Sequence, residues 1–406
     1  MMGLELQGLN VYEKVMTVLL IIYAFMVNIS TSAVSICICL GVLTILLQYY
    51  KTGNIPCVNK YIILAVSIYV LTGMISNTIN VGGIDGIKMW IGHTYRFFPM
   101  FFAIMYIKNT NQVKYVMFAF LGTVFAENIV AINQSLHIWG NYTENGGRVI
   151  GLTSNPNVLA PMLVMFLIAL YVHVNNFAER GKIKILMIAG ISLSMISLIL
   201  TMSRGSWLTF IVVLLLGVLM LKRKRKQLFV CFFLMIVCIP MFFMAKPNYY
   251  HRIETVTDMR MSSNVARTYI WRDTLVMISE HPMVGVGLEK YSDVFNDEYA
   301  SEELLSIEKK GVHHPHNNIL MVLSEGGIIS LIGYVFFYAV MLLLLFRKAM
   351  HSHWTNEYAV MGILLIIAIQ LTGMVDMNVY NAHIMRLFLF LLGVSFSGST
   401  ILDSKM

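Results

Sequence analysis

The segment His313-His314-Pro315-His316-Asn317-Asn318 ends the longest polar stretch of the chain and runs directly into an apolar helix. Imidazoles titrate near neutrality, so three of them beside an apolar surface suit proton transfer, metal ligation or simple helix capping. For capping, Pro315 sets the turn and His316 or Asn317 caps the helix that follows. For a metal, the three histidines lack adjacent carboxylate or cysteine support, which makes the signature weak. For catalysis, a neutral ring at the interface takes a proton from a substrate hydroxyl. Spacing alone leaves all three readings open.

A second group is made of arginines. Arg204 lies in Met202-Ser203-Arg204-Gly205-Ser206, between two apolar runs that nearly abut. An arginine there is costly unless it snorkels, pairs or binds an anion. Its serine and glycine neighbours favour an anion, because they let the backbone approach a phosphate closely. Arg148, Arg252, Arg260, Arg267 and Arg272 fall on the same side. A solvated loop helix explains Arg260 and Arg272 without any function. Arg267 and Trp271, four apart, share a helix face and can stack. Guanidinium forks suit a pyrophosphate because they offer paired, permanently charged donors and need no metal. Inside the apolar runs lie His93, Arg96, Glu127, Asp376 and Arg386. Arg96 with Glu127, and Asp376 with Arg386, are expected to pair and hold helices together. The alternative is a polar cavity opening outward under the long polar loop.

The elements that position these residues are membrane helices. The chain is 58% hydrophobic and 12% charged, with a mean hydropathy of +0.72, which excludes a water-exposed globular surface of this size. Its apolar runs are mostly about 17 to 23 residues long, the length of a helix crossing roughly 30 Å of hydrocarbon, not of barrel strands. The fold class expected is therefore an all-α polytopic membrane protein. Spans are read near 12–29, 32–50, 60–80, 87–107, 113–133, 156–175, 183–202, 206–221, 227–245, 319–346, 357–375 and 382–399, about twelve in all. Short loops carrying Lys51, Lys60, Lys108, Lys114, Arg180, Lys182, Lys184, Lys222 to Lys226, Arg347 and Lys348 then share one face. The positive-inside rule makes that face, and both termini, cytoplasmic. The net charge of +8 is thus a set of topology anchors, supplemented by anionic lipid binding at 222–226, and calls for no nucleic acid. The first apolar segment has no small-residue cleavage site and is expected to be retained as a helix. Cys37, Cys39, Cys57, Cys231 and Cys238 fall in spans or a cytoplasmic loop, with no disulfide framework or zinc spacing.

Residues 1–245 are read as nine transmembrane helices, 246–316 as a large extracytoplasmic loop with short helices between the ninth and tenth, and 317–406 as the last three. A shorter extracytoplasmic segment covers about 134–155. Within the large loop, Ala266 to Glu280 reads as a helix ending before His281-Pro282. No inverted repeat is visible, which weighs against a transporter or flippase, the alternative from another functional class.

In order along the chain come Arg148-Val-Ile-Gly-Leu-Thr-Ser-Asn155-Pro156-Asn157, Ser203-Arg204-Gly205, Arg267-Thr-Tyr-Ile-Trp271-Arg272, His281-Pro-Met-Val-Gly-Val-Gly287, His314-Pro-His316-Asn317 and Glu325-Gly326-Gly327. From about 145 to 335 this pattern resembles the O-antigen ligase and polymerase family of bacterial envelope glycosyltransferases. The resemblance implies a multi-pass protein of the bacterial cytoplasmic (inner) membrane with its active site facing the periplasm or cell exterior. It implies a glycan donor carried on undecaprenyl pyrophosphate and transferred to an acceptor hydroxyl, without cofactor, nucleotide sugar or divalent metal; deprotonation of that hydroxyl on the face opposite the leaving group favours inversion. Arg204 and Arg267 match the family's pyrophosphate-holding arginines, with Arg272 as a further cation of that site. His316 matches the proposed general base and His314 a position commonly histidine. Arg148, Asn157, Asn317 and Glu325 fall in the motifs as supporting residues. A ligase transfers to a lipid A-core sugar; a repeat-unit polymerase of the same family transfers to another lipid-linked glycan. The compact length and the combined arginine–histidine pattern favour the ligase.

Overall fold

The computed structural model describes residues 8–136, 147–174, 181–221 and 262–404. All regular structure among them is helical: α1 Val11–Met26, α2 Thr31–Thr52, α3 Lys60–Asn77, α4 Gly83–Thr94, α5 Phe98–Tyr106, α6 Thr110–Ser135, α7 Pro156–His173, α8 Gly181–Leu200, α9 Arg204–Met220, α10 Ser262–Glu280, α11 Asn318–His351, α12 Glu357–Thr372 and α13 Ala382–Asp403, with short turns at Tyr291–Val294 and Glu302–Ile307. Among the described residues seven helical stretches are long and apolar enough to cross a membrane, and α9 and α12 are shorter apolar helices. The expected span at 12–29 falls on α1, which is not among the seven membrane-length stretches, and each of the others falls on a helix of this series, except 227–245. That span, the cluster Lys222 to Lys226, and Arg252 and Arg260 lie outside the described residues. The region read as spans 60–80 and 87–107 is one helical run, Lys60–Tyr106, divided into α3, α4 and α5 by turns at Thr78–Gly82 and Tyr95–Phe97.

Burial separates the helices into shells. On α2 the exposed residues include Ile36, Leu40, Leu43 and Leu47, a helical stripe of pure hydrocarbon, while Val34, Cys37, Ile38 and Gly41 face inward. An apolar stripe left outside a folded bundle is the surface that lipid covers. In contrast α7 and α13 are enclosed on every side, 83% and 94% buried along their membrane-length stretches, so they form the centre, with α12 packed on both and on α9. The ends are set by asparagine: Asn10, Asn109, Asn155, Asn317, Asn356 and Asn381 each accept a hydrogen bond from a first-turn amide of the helix they precede. Each satisfies an amide that the helix itself cannot.

The longest helix, α11, packs along α3 and breaks at Gly327, whose φ of 63° and ψ of −168° leave the helical region. A Cβ at Gly327 would sit 2.3 Å from the backbone of Met283, and one at Gly285 would sit 2.5 Å from that of Glu325. The kink therefore admits the loop after α10 against the helix axis, and only glycine permits both the approach and the positive φ. The loop is then tied down: Val286 and Gly287 amides donate to Ser324 and Glu325 carbonyls at 2.9 and 2.8 Å, and Ser76 and Asn80 of the α3 end both donate to the Val284 carbonyl at 2.6 Å. As expected, the loop helix ends at Glu280, before His281-Pro282.

Candidate active site

A cavity of about 250 Å³ opens at the end of the bundle where α7 and α9 begin and α12 finishes; Arg148, Asn157, Arg204, Arg267, His316 and Asp376 line it. The first five are candidate site residues of the sequence, and they come from segments up to 168 positions apart, Arg148 to His316. The cavity's cations are fixed by different devices. Arg148 Nε donates to the Thr201 carbonyl at 2.8 Å and its Nη2 to Asn157 Oδ1 at 2.5 Å. That crosslinks the start of α7 to the end of α8. Arg204 occupies the first turn of α9 and reaches Asn264 Oδ1 of α10 at 3.2 Å. The capping residue Ser203 makes no side-chain hydrogen bond to the amides of this turn, so amides and guanidinium offer positive charge to the same space. Arg267 makes no hydrogen bond or ion pair with the described residues, although it lines the cavity. Its donor fork is available to a ligand.

The imidazole side of the cavity is an acid–histidine pair. His316 Nδ1 lies 3.1 Å from Oδ1 of Asp376, in the loop between α12 and α13. Burial alone would raise the Asp376 carboxyl, but the hydrogen bond from His316 and the electrostatic influence of the two neighbouring imidazoles hold it below the usual carboxylate value. An ionised carboxylate can only accept, so Nδ1 of His316 carries the proton, and in the neutral ring Nε2 then holds the lone pair. That is the tautomer a general base needs. His314 stacks edge-on at 4.2 Å and its Nδ1 accepts from the His316 amide at 3.4 Å. Burial, then the neighbouring His316, push the His314 ring down to about 4, so it serves as a neutral acceptor.

His316 has a φ of +50°, as does Met202 beside Arg204. Two non-glycine residues in the left-handed region on one cavity's lining mark stored strain that the surroundings must hold. For His316 the holding is visible. Trp271 Nε1 donates to the buried Pro315 carbonyl at 2.8 Å, one turn along α10 from Arg267. Asn318 Oδ1 accepts from the amides of Asn378 and Val379 at 2.8 and 3.1 Å, and its own amide donates to Gly373 at 2.6 Å. The stretches of chain bearing His316 and Asp376 are thereby laced together.

Several expectations are corrected. Arg272 points out of the cavity, half exposed, to Asp273 at 2.8 Å and Glu303 at 3.9 Å. At about 100° per residue it lies roughly 140° around the helix from Arg267. Trp271 spends its indole N–H on Pro315, and the cation over a ring in α10 is Arg272 over Tyr269 at 5.0 Å. Glu325 is buried and accepts from the Tyr291 amide at 3.2 Å, anchoring the loop. Asn317, not His316, caps α11. Neither expected internal pair forms. Asp376 holds His316; Arg386 donates to Tyr95 Oη; Arg96 donates to the Tyr380 carbonyl at 2.9 Å; and Glu127 accepts from the Leu152 amide at 2.8 Å. Depth in the membrane suggests partners, whereas each group is taken by the nearest loop backbone, phenol or imidazole. Asp376 also supplies the carboxylate whose absence weakens a metal reading: His314, His316 and Asp376 offer ligand atoms within 4.8 Å of one another. The Asp376–His316 hydrogen bond already occupies two of those atoms, and Arg267 is close enough to act on His314 electrostatically.

Comparison with known proteins gives the same direction. Residues 189–335, which hold Arg204, Arg267, His316 and the Gly327 kink, match the family model described as O-antigen ligase. An alignment 227 residues long, covering 50% of this chain, is 23% identical to the ComP-specific O-oligosaccharyltransferase of Acinetobacter baylyi. The matched stretch spans 40% of that relative's length.

Proposed function

On the premise that residues 189–335 match the O-antigen ligase family model, we propose that this chain is an integral membrane glycosyltransferase of the bacterial cytoplasmic membrane. It moves a glycan from undecaprenyl pyrophosphate to an acceptor hydroxyl, with the site facing away from the cytoplasm. The observation that carries this reading is the His316–Asp376 pair, 3.1 Å apart, in one cavity with Arg148, Arg204 and Arg267. Such a cavity offers a base for a hydroxyl and cations for a leaving pyrophosphate. As the anomeric bond breaks, negative charge grows on the departing lipid pyrophosphate, where pre-placed guanidinium groups stabilise it without reorganising. His316 Nε2 takes the acceptor proton, and Asp376 stabilises the imidazolium that results. Attack opposite the leaving group inverts the anomeric centre. The lipid A-core sugar is the acceptor in a ligase.

A second acceptor class is favoured by one observation: the relative carries the name of an O-oligosaccharyltransferase specific for ComP. A protein hydroxyl is therefore the competing acceptor, and a second lipid-linked glycan the polymerase alternative. The deciding experiment offers purified protein in detergent, without a membrane gradient, the lipid-linked donor with each acceptor in parallel. Transfer that survives chelator and disappears in His316→Ala supports the mechanism. Transfer by His316→Ala at the wild-type rate, or restoration of a chelated sample by zinc alone, overturns it.

A further inference from the structure

A cavity of about 800 Å³ lies at the other end of the bundle, lined by residues that close α5, α11 and α13 and open α3. Measured along α11 from His316 to Arg347, it is about 45 Å from the candidate active site at 1.5 Å per residue. Its wall includes Ile62, Ile104, Leu344 and Phe396; at its mouth are Lys108, Arg347 and Lys348, and none of the residues lining it is acidic. Lys108 is held by Glu13, and Lys348 by Asp403 at 2.9 Å. Arg347 is exposed and makes no ion pair or hydrogen bond with the described residues. The space is equivalent to roughly two dozen waters, far more than an inorganic phosphate fills, and much of its wall is hydrocarbon that water does not favour.

We propose that this cavity binds an anionic glycerophospholipid. Its phosphodiester lies against Arg347, with Lys108 and Lys348 beside it, its glycerol near Thr400, and its acyl chains along Ile104, Leu344 and Phe396. Apolar wall and cationic mouth together match an amphiphile with one negative head, and basic pockets between helices on a cytoplasmic face suit such headgroups. The leaflet follows from the sequence expectation that this lysine-rich end is cytoplasmic. The site does not depend on the glycosyltransferase reading.

Cys57 lines this cavity and is an exposed free thiol, which supplies a local reporter. Purified, delipidated full chain in neutral detergent is titrated separately with phosphatidylglycerol, phosphatidylcholine, glycerol 3-phosphate and inorganic phosphate. Thermal unfolding and maleimide labelling of Cys57 are followed, the latter by peptide mass spectrometry. Phosphatidylglycerol is expected to raise the unfolding midpoint and slow Cys57 labelling, with phosphatidylcholine and the soluble phosphates inactive. Arg347→Gln is expected to weaken the apparent affinity about fivefold, the share of one cation near a lipid phosphate. Because Arg347 has no partner among the described residues, the variant tests binding and not stability. Equal protection by phosphatidylcholine, protection by either soluble phosphate, or unchanged affinity in Arg347→Glu would each overturn the assignment.

Discussion

Replacing Asp376 by asparagine is the sharpest test of the proposed mechanism, because it removes one charge and keeps the shape. In the wild type the carboxylate accepts from His316 Nδ1 at 3.1 Å and Asp376 is only 9% exposed. In the proposed mechanism His316 gains a proton, so a neutral–anion pair becomes a cation–anion pair. With about 4 Å between charge centres and an effective dielectric near 20, that pair contributes about 4 kcal/mol as an upper figure. The charged hydrogen bond viewed by itself contributes about 1.5–3 kcal/mol. The substituted carboxamide presents either an oxygen or an NH2 group to the ring, and the NH2 group would demand the opposite tautomer. A loss of about 3 kcal/mol in transition-state stabilisation corresponds to about a hundredfold fall in kcat. The donor KM should change little, because Asp376 acts through His316 and not on the pyrophosphate. The assay is initial-rate glycan transfer by purified protein over a range of donor concentrations, with the thermal midpoint recorded to confirm folding. A folded Asp376→Asn protein with kcat within about threefold of wild type, alongside an inactive His316→Ala, would refute the dyad and leave His316 acting unaided.

Arg267→Lys keeps the charge but loses the fork, and should lower kcat/KM for the donor by about ten- to a hundredfold if two parallel bonds to phosphate form; a rate equal to wild type would reduce Arg267 to a point charge. Trp271→Phe leaves the buried Pro315 carbonyl without its donor, at a cost of about 1–2 kcal/mol; kcat should fall about five- to thirtyfold with donor KM nearly constant, and a change confined to KM would contradict a positioning role. For pH, His314 is held at about 4 in the fold against about 6.5 when unfolded. The unfolded chain therefore takes up that proton first. Stability from this group is complete above about 6.5 and declines as pH falls toward 4, while the depressed Asp376 stays ionised across the same window. The thermal midpoint of wild type should drop between about pH 7 and 4.5 more than that of His314→Gln, and parallel curves would remove His314 from the account.

The helices are legible in the sequence because runs of hydrocarbon of bilayer length admit few alternatives, and the spans read from 156 to 221 fall on α7, α8 and α9. The break of α11 at Gly327 is not, since a glycine inside an apolar run reads as a weak helix residue until a loop is known to press on it. Arg204, Arg267 and His316 stand out from residue type and motif order. Their meeting is not derivable from spacing, and the role of Asp376 escapes sequence reasoning because its partner is 60 positions away. A signal does exist: Asp376, Asn378 and Asn381 crowd a short segment before α13, more polarity than a turn between two apolar helices requires. Arg272 misleads for the opposite reason. Its motif neighbours are sound, but its helical face excludes it from the wall that Arg267 joins.

The cationic wall of the active-site cavity has a kinetic corollary. A pyrophosphate esterified at both ends carries less negative charge than one freed at one end, so under the proposed mechanism guanidinium groups that hold the leaving group would grip the spent carrier harder than the fresh donor. With Arg148, Arg204 and Arg267 on one lining, turnover would then be paced by departure of the lipid pyrophosphate, and the first cycle in a rapid-mixing experiment would outrun those that follow.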